Sequence, residues 1–141
     1  MDLWQAIKAD HDAIDALFEQ IKDATDGRAG LIEQLRRALE AHAQGEEQAV
    51  YPELAKLDEL AEAAAAAQEE HDAVRRLLSE LAAADGDDQQ DLLAELEEAV
   101  QDHVEEEEQE IIPIAASAVP ADQAEAMLEA FEAAKASAMP S

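Results

Sequence analysis

The sequence predicts an all-α fold, an antiparallel up-down four-helix bundle followed by a short fifth helix at the C-terminus. Hydrophobic residues make up 48% of the chain but aromatic residues only 3%, because alanine and leucine supply most of the apolar positions, and both are strong helix formers. The apolar residues recur at three- and four-residue spacing, which is typical of amphipathic helices. No alternating Val/Ile/Thr pattern predicts strands. We expect residues 1–141 to form a single domain.

Turn-forming residues divide the chain into its predicted helices. The strong signals are Thr25-Asp26-Gly27 and Asp85-Gly86-Asp87-Asp88, and softer breaks lie around residues 52–58 and 113–120. The four predicted long helices, which make up the bundle of about residues 2–112, cover about 2–24, 29–54, 58–84 and 89–112. Pro120 suits the first turn of a helix, which predicts a fifth helix over about residues 120–138. Its apolar stripe is expected to pack against the bundle.

Each long helix carries one histidine on its predicted core-facing stripe. These are all the histidines of the chain: His11, His42, His71 and His103. The stretch that begins at the first histidine resembles the stretch that begins at the third, and the second resembles the fourth. The sequence therefore predicts two similar helical hairpins related by a pseudo-twofold axis.

Two glutamates complete a set of six candidate metal ligands. Glu46 follows His42 by four residues, and Glu107 follows His103 in the same way. Residues at this spacing lie about 40° apart on a helix, so both side chains can reach one point in the core. Two unpaired buried carboxylates would be very costly, and a pair of cations bridged by them removes that cost. Histidine and carboxylate ligands suit iron, manganese or zinc rather than calcium.

The pattern His11 … His42-x-x-x-Glu46 … His71 … His103-x-x-x-Glu107, with a proline about ten residues after each motif histidine, resembles the hemerythrin-like, or HHE cation-binding, domains of bacterial type. The resemblance covers about residues 4–135. It implies a non-haem centre of two iron ions with an oxo or hydroxo bridge, in which the two glutamates also bridge the ions. Ferritin-like bundles use Glu-x-x-His, the opposite order, and match less well.

One departure from the family bears on function. Oxygen-carrying hemerythrins have a further histidine four residues after the third-helix ligand, and this chain has Arg75 there. The resemblance then implies open coordination positions on both ions. This favours catalase-like or oxidase-like detoxification of H2O2, O2 or NO. The alternatives are an O2- or iron-binding sensor or carrier without turnover, and a structural metal bundle.

Two further residues are candidates for the site. On an ideal helix Tyr51 points about 180° away from His42, which favours a packing residue. Gly45 and Pro52 could distort the helix, and Tyr51 would then be an additional iron ligand. Glu110 is either a carboxylate close to the site or a solvated residue at a helix end. In the run 105–108, only Glu107 is expected to point inward.

The net charge of −27 argues against nucleic acids and anionic membrane surfaces as partners. The chain has no cysteine, which excludes disulfides and thiolate metal sites. It shows neither a long apolar run nor a signal-peptide pattern, so we expect a cytoplasmic protein. The expected partners are small molecules, and the expected oligomeric state is a monomer or weak oligomer.

Overall fold

The computed structural model describes residues 1–138, which contain no strand. The helices are α1 (Leu3–Asp23), α2 (Arg28–Gly45), α3 (Tyr51–Leu54), α4 (Ala61–Ala82), α5 (Gly86–Glu106), α6 (Ile112–Ala118) and α7 (Ala121–Ala138). Two π-helical segments, Glu46–Val50 and Glu107–Ile111, join α2 to α3 and α5 to α6. The predicted all-α bundle with a C-terminal fifth helix is confirmed.

The first two helices begin where local chemistry favours it. The Asp2 side chain accepts a hydrogen bond from the Gln5 backbone at 2.8 Å, and the Gln5 side chain accepts one from the Asp2 backbone at 2.9 Å. This reciprocal pair satisfies two backbone donors at the start of α1. Before α2, Gly27 has a φ of 70°, a left-handed conformation that glycine adopts without steric cost.

The last long helix differs from its predicted bounds of 89–112 at both ends. It begins at Gly86, so Asp87 and Asp88 lie in its first turn, where negative charges interact favourably with the helix dipole. At the other end the helical path continues beyond Pro113 to Ala118. Pro113 is the second residue of α6, in the first turn after the π segment, where its missing N–H is not required.

Two hydrophobic clusters show that the long helices run antiparallel. One cluster joins the start of α1, the end of the helical stretch α2–α3, the start of α4 and the end of the helical stretch α5–α6. Its residues include Leu3, Ile7, Val50, Leu54, Leu60, Ala67, Ile111 and Ile112. The other joins the opposite ends, through Ile14, Phe18, Leu35, Leu39, Leu78, Leu81, Leu93 and Leu96. Along every long helix, the buried polar residues lie between these two clusters.

Helix α7 packs against α2, the first π segment and α1, as its apolar stripe predicts. Met127 and Phe131 are buried in this contact. A Cβ atom at Gly45 would lie only 2.7 Å from Phe131 Cδ1, so the glycine permits the close approach of the two helices. Within residues 1–138, no helix combines the length and the apolar character needed to cross a bilayer.

Candidate metal centre

The six residues predicted as ligands lie together in one buried layer of the bundle. Their side chains form two groups in which ligand atoms lie within 4.8 Å of one another. One group is His11, His42, Glu46 and Glu107, and the other is Glu46, His71 and His103. Glu46 is 0% exposed and Glu107 is 2% exposed. Since Glu46 belongs to both groups, the arrangement is that of two adjoining sites with a shared carboxylate.

Each histidine directs Nε2 towards one of the two central carboxylates. His42 Nε2 and His71 Nε2 lie 3.0 and 3.2 Å from Glu46 Oε1. On the other carboxylate, His11 Nε2 lies 3.1 Å from Glu107 Oε1 and His103 Nε2 lies 3.4 Å from Oε2. Four imidazoles from four helices therefore surround two carboxylates.

The outer nitrogen of every histidine, Nδ1, contacts a second carboxylate on a neighbouring helix. The pairs are His11 with Glu108 at 2.7 Å, His42 with Asp10 at 2.8 Å, His71 with Glu47 at 2.8 Å and His103 with Glu70 at 2.7 Å. A carboxylate at this place accepts the Nδ1–H bond and leaves the Nε2 lone pair directed inward. This is the orientation of metal-bound histidines.

Sequence reasoning did not find these four outer carboxylates. Each is a direct chain neighbour of a predicted ligand, as Asp10 is of His11, so a local signal existed. This signal cannot be distinguished from the background, because the chain has 36 acidic residues. The expectation that only Glu107 points inward within 105–108 is wrong, because Glu108 bonds to His11.

The π segments explain why Tyr51 joins the cluster. The Tyr51 backbone N–H bonds to the Glu46 carbonyl five residues back. Pro52 has no N–H to donate and its ring would clash with a carbonyl in a regular helix, which favours a wider turn. The extra residue in that turn advances Tyr51 to the face that Glu46 occupies. In the other half, Ile112 has the equivalent place and bonds to the Glu107 carbonyl.

As a result, the Tyr51 hydroxyl lies between the two central carboxylates. It is 2.8 Å from Glu107 Oε2 and 3.0 Å from Glu46 Oε1, and 3.2 Å from His71 Nε2. The ideal-helix expectation of a residue turned away from the histidines therefore does not describe Tyr51. Glu110, in contrast, is exposed and lies outside the cluster, which agrees with a solvated residue.

Without metal, protons balance the buried carboxylates. Burial alone would lower the pKa of His42, but the charge of Glu46 and the hydrogen bond to Asp10 raise it to about 10. Burial likewise opposes the charged form of His103, yet its carboxylate partners raise its pKa to about 12. Burial would raise the pKa of Glu46, and the imidazoliums hold it well below its usual range. Burial and both central carboxylates raise the pKa of Tyr51.

The cluster fits metal ions better than it fits a set of internal hydrogen bonds. His11 Nε2 and His42 Nε2 lie close to the central carboxylates but form no hydrogen bond to them, and Glu46 Oε2 and Glu107 Oε1 are also buried without a hydrogen-bond partner. Across residues 1–138, the ion pairs of the two central carboxylates involve histidines alone and no lysine or arginine. A cation bound by nitrogen and oxygen ligands requires lone pairs that converge on one point and are not used in hydrogen bonds to one another.

The helical bundle and its buried layer of histidines and glutamates are typical of metal-binding helical-bundle proteins. Residues 2–115 match the family model described as "Hemerythrin HHE cation binding domain". The match covers most of the chain, and the chain therefore belongs to the hemerythrin HHE cation-binding family. No curated protein and no solved structure matches the chain. Helix α7 lies beyond the matched residues.

Proposed function

We propose that the cluster binds two iron ions and that the protein reacts with H2O2, O2 or NO, with peroxide removal as the first candidate activity. His11 and His42 would hold one ion, His71 and His103 the other, and Glu46 and Glu107 would contact both. The observation that carries this proposal is the double ligand set with a shared carboxylate. When bound, iron supplies one-electron redox chemistry, which zinc does not, whereas manganese fits the same donors.

A small cavity beside the histidines has room for a small reactant. It has a volume of about 30 Å³. All four histidines line it, together with the apolar side chains Ile14, Leu39, Val74, Leu78, Val100 and Val104. One water occupies roughly 10–15 Å³ by this kind of measure, so the cavity has room for a molecule of two to four atoms. This size suits O2, NO or H2O2.

Arg75 supports reactivity over reversible oxygen carriage. It stands where oxygen carriers have an additional histidine, and its guanidinium turns to Glu40 at 3.0 Å and Glu47 at 2.9 Å. It therefore adds no ligand to the cluster. The Tyr51 hydroxyl holds a proton between the two central carboxylates, which is a suitable place to hydrogen-bond a small oxidant or to pass it a proton. A sensor or carrier without turnover is the second candidate.

The test loads the protein with iron, measures two irons per chain by elemental analysis, and adds peroxide in a cell with an oxygen electrode. Sustained oxygen release that His103→Ala abolishes, and that the exposed-site control Glu105→Ala retains, supports the proposal. A stable oxygenated adduct that reverses under argon, with no peroxide turnover, establishes the carrier or sensor instead. One metal per chain, or zinc alone after iron loading, contradicts the di-iron centre.

A further inference from the structure

Helix α7 reaches the metal centre through a chain of two polar contacts. Lys135 Nζ lies 2.7 Å from Asp10 Oδ1. The other oxygen of the same carboxylate, Asp10 Oδ2, accepts the hydrogen bond of His42 Nδ1 at 2.8 Å. A charge on a helix outside the family-matched residues is thus connected to one proposed iron ligand through a single carboxylate.

The geometry fixes the Lys135 ammonium group rather than leaving it free in solvent. The ammonium lies 5.1 Å from the centre of the Phe131 ring, a cation–π distance. Its stem passes over Gly45, where an added Cβ would be 3.0 Å from Lys135 Cγ. The side chains of Lys135 and Asp10 are only 21% and 19% exposed, so solvent and salt screen this pair less than an ordinary surface pair.

Among residues 1–138, the other half of the bundle has no equivalent of Lys135. The pseudo-twofold counterpart of Asp10 is Glu70, which accepts the His103 Nδ1–H bond. Within the described part of the chain, the ion pairs of Glu70 include His103 but no lysine or arginine. The counterpart of Gly45 is Glu106, an acidic neighbour of Glu70.

Arg75 is the cation beside one of the two remaining outer carboxylates, Glu47, and three carboxylates oppose its charge, the third being Asp72 at 3.4 Å. It pairs with Glu47, which bonds His71, and equally with Glu40. The Lys135 charge, in contrast, is opposed by Asp10 alone among the described ion pairs. The surroundings of His42 are therefore the more positive of the two halves.

We propose that Lys135 is a positioning residue that raises the reduction potential of the iron held by His42, so that the two iron positions are inequivalent. The inference rests on the proposed di-iron function. A cation on Asp10 weakens the pull of this carboxylate on the Nδ1 proton, which makes the imidazole a weaker electron donor. A weaker donor and a nearby positive charge both favour ferrous over ferric iron.

The experiment is a potentiometric titration of the iron-loaded protein followed by its visible spectrum. Lys135→Met is expected to change the ferrous-to-ferric ratio of the higher-potential step by about tenfold, a shift of about 59 mV to lower potential. Lys135→Arg keeps the charge and is expected to behave like the wild type. Lys22→Met is the matched control, because Lys22 forms a similar cross-helix pair with Glu97 at 2.8 Å and its loss changes the net charge equally.

Asp10→Asn distinguishes an electrostatic effect on the reduction potential from a loosening of the structure. It removes the negative charge beside the Nδ1–H group, so it is expected to raise the same potential, opposite to Lys135→Met. Equal potentials in Lys135→Met and Lys22→Met, or shifts of the same sign in Lys135→Met and Asp10→Asn, overturn the proposal. If Lys135→Met does not fold, the potentials of Asp10→Asn and Lys135→Arg test the proposal instead. A wild-type protein that binds no iron refutes the proposed function itself, whereas bound iron with insensitive potentials refutes only this inference.

Discussion

Replacing Glu108 by glutamine tests whether the outer carboxylates support the metal ligands. Glu108 accepts the Nδ1–H bond of His11 at 2.7 Å, and its side chain is 32% exposed. A hydrogen bond to a charged partner contributes about 1.5–3 kcal/mol and a neutral one about 0.5–1.5 kcal/mol, so the substitution loses on the order of 1–1.5 kcal/mol. This corresponds to roughly tenfold weaker metal binding. Partial exposure places the effect at the low end of the 10–100-fold range found for such residues.

The assay is competition for ferrous iron between the protein and a calibrated chelator under anaerobic conditions. Glu105→Gln is the control, because Glu105 lies three residues before Glu108, is exposed and carries the same charge. Comparable affinities in the two variants would refute the role of Glu108, since loss of net charge alone would then explain any change. A tenfold difference at unchanged helicity supports it.

Two further predictions concern Tyr51 and the protons of the metal-free cluster. Tyr51→Phe removes the hydroxyl 2.8 Å from Glu107, and if Tyr51 is a ligand the visible charge-transfer band of the ferric protein disappears; an unchanged spectrum contradicts a ligand role. For the metal-free protein, the His42 pKa is raised from 6.5 to about 10, so its stabilising contribution is full below pH 6.5 and is lost as pH rises through 10. The lowered Glu46 pKa contributes stability above pH 4.5 that is lost on acidification. Urea unfolding with chelator present should therefore show falling stability from pH 7 to pH 10, and the opposite trend would contradict protonated imidazoles.

Helical periodicity was sufficient to predict the bundle and to bring the six candidate ligands together. His11 and His42 lie on core-facing stripes whose apolar neighbours are buried, so hydrophobic burial fixes the direction of the ligands as well. A wheel with 3.6 residues per turn could not place Tyr51, because the π segment after Glu46 adds one residue to a turn. The available signal was Pro52, which removes a backbone donor at that point.

Contacts between distant segments were beyond the reach of sequence patterns. Lys135 and Asp10 are 125 residues apart, and nothing local in either segment specifies the pair. The packing of α7 was predictable from its apolar stripe, but its position over α2 depends on the fit of Phe131 against Gly45. Such a fit is a property of shape, which composition and spacing do not encode.

Each π segment is followed by one residue whose position is equivalent in the two halves of the bundle. Tyr51 and Ile112 occupy corresponding places immediately after the wide turn, and the ligands precede that turn in both halves. The residue at this position lies outside the stretch that carries the candidate histidine and glutamate ligands in each half. Sequence drift at these two positions gives such a bundle a way to place a phenol on one side, on both sides or on neither.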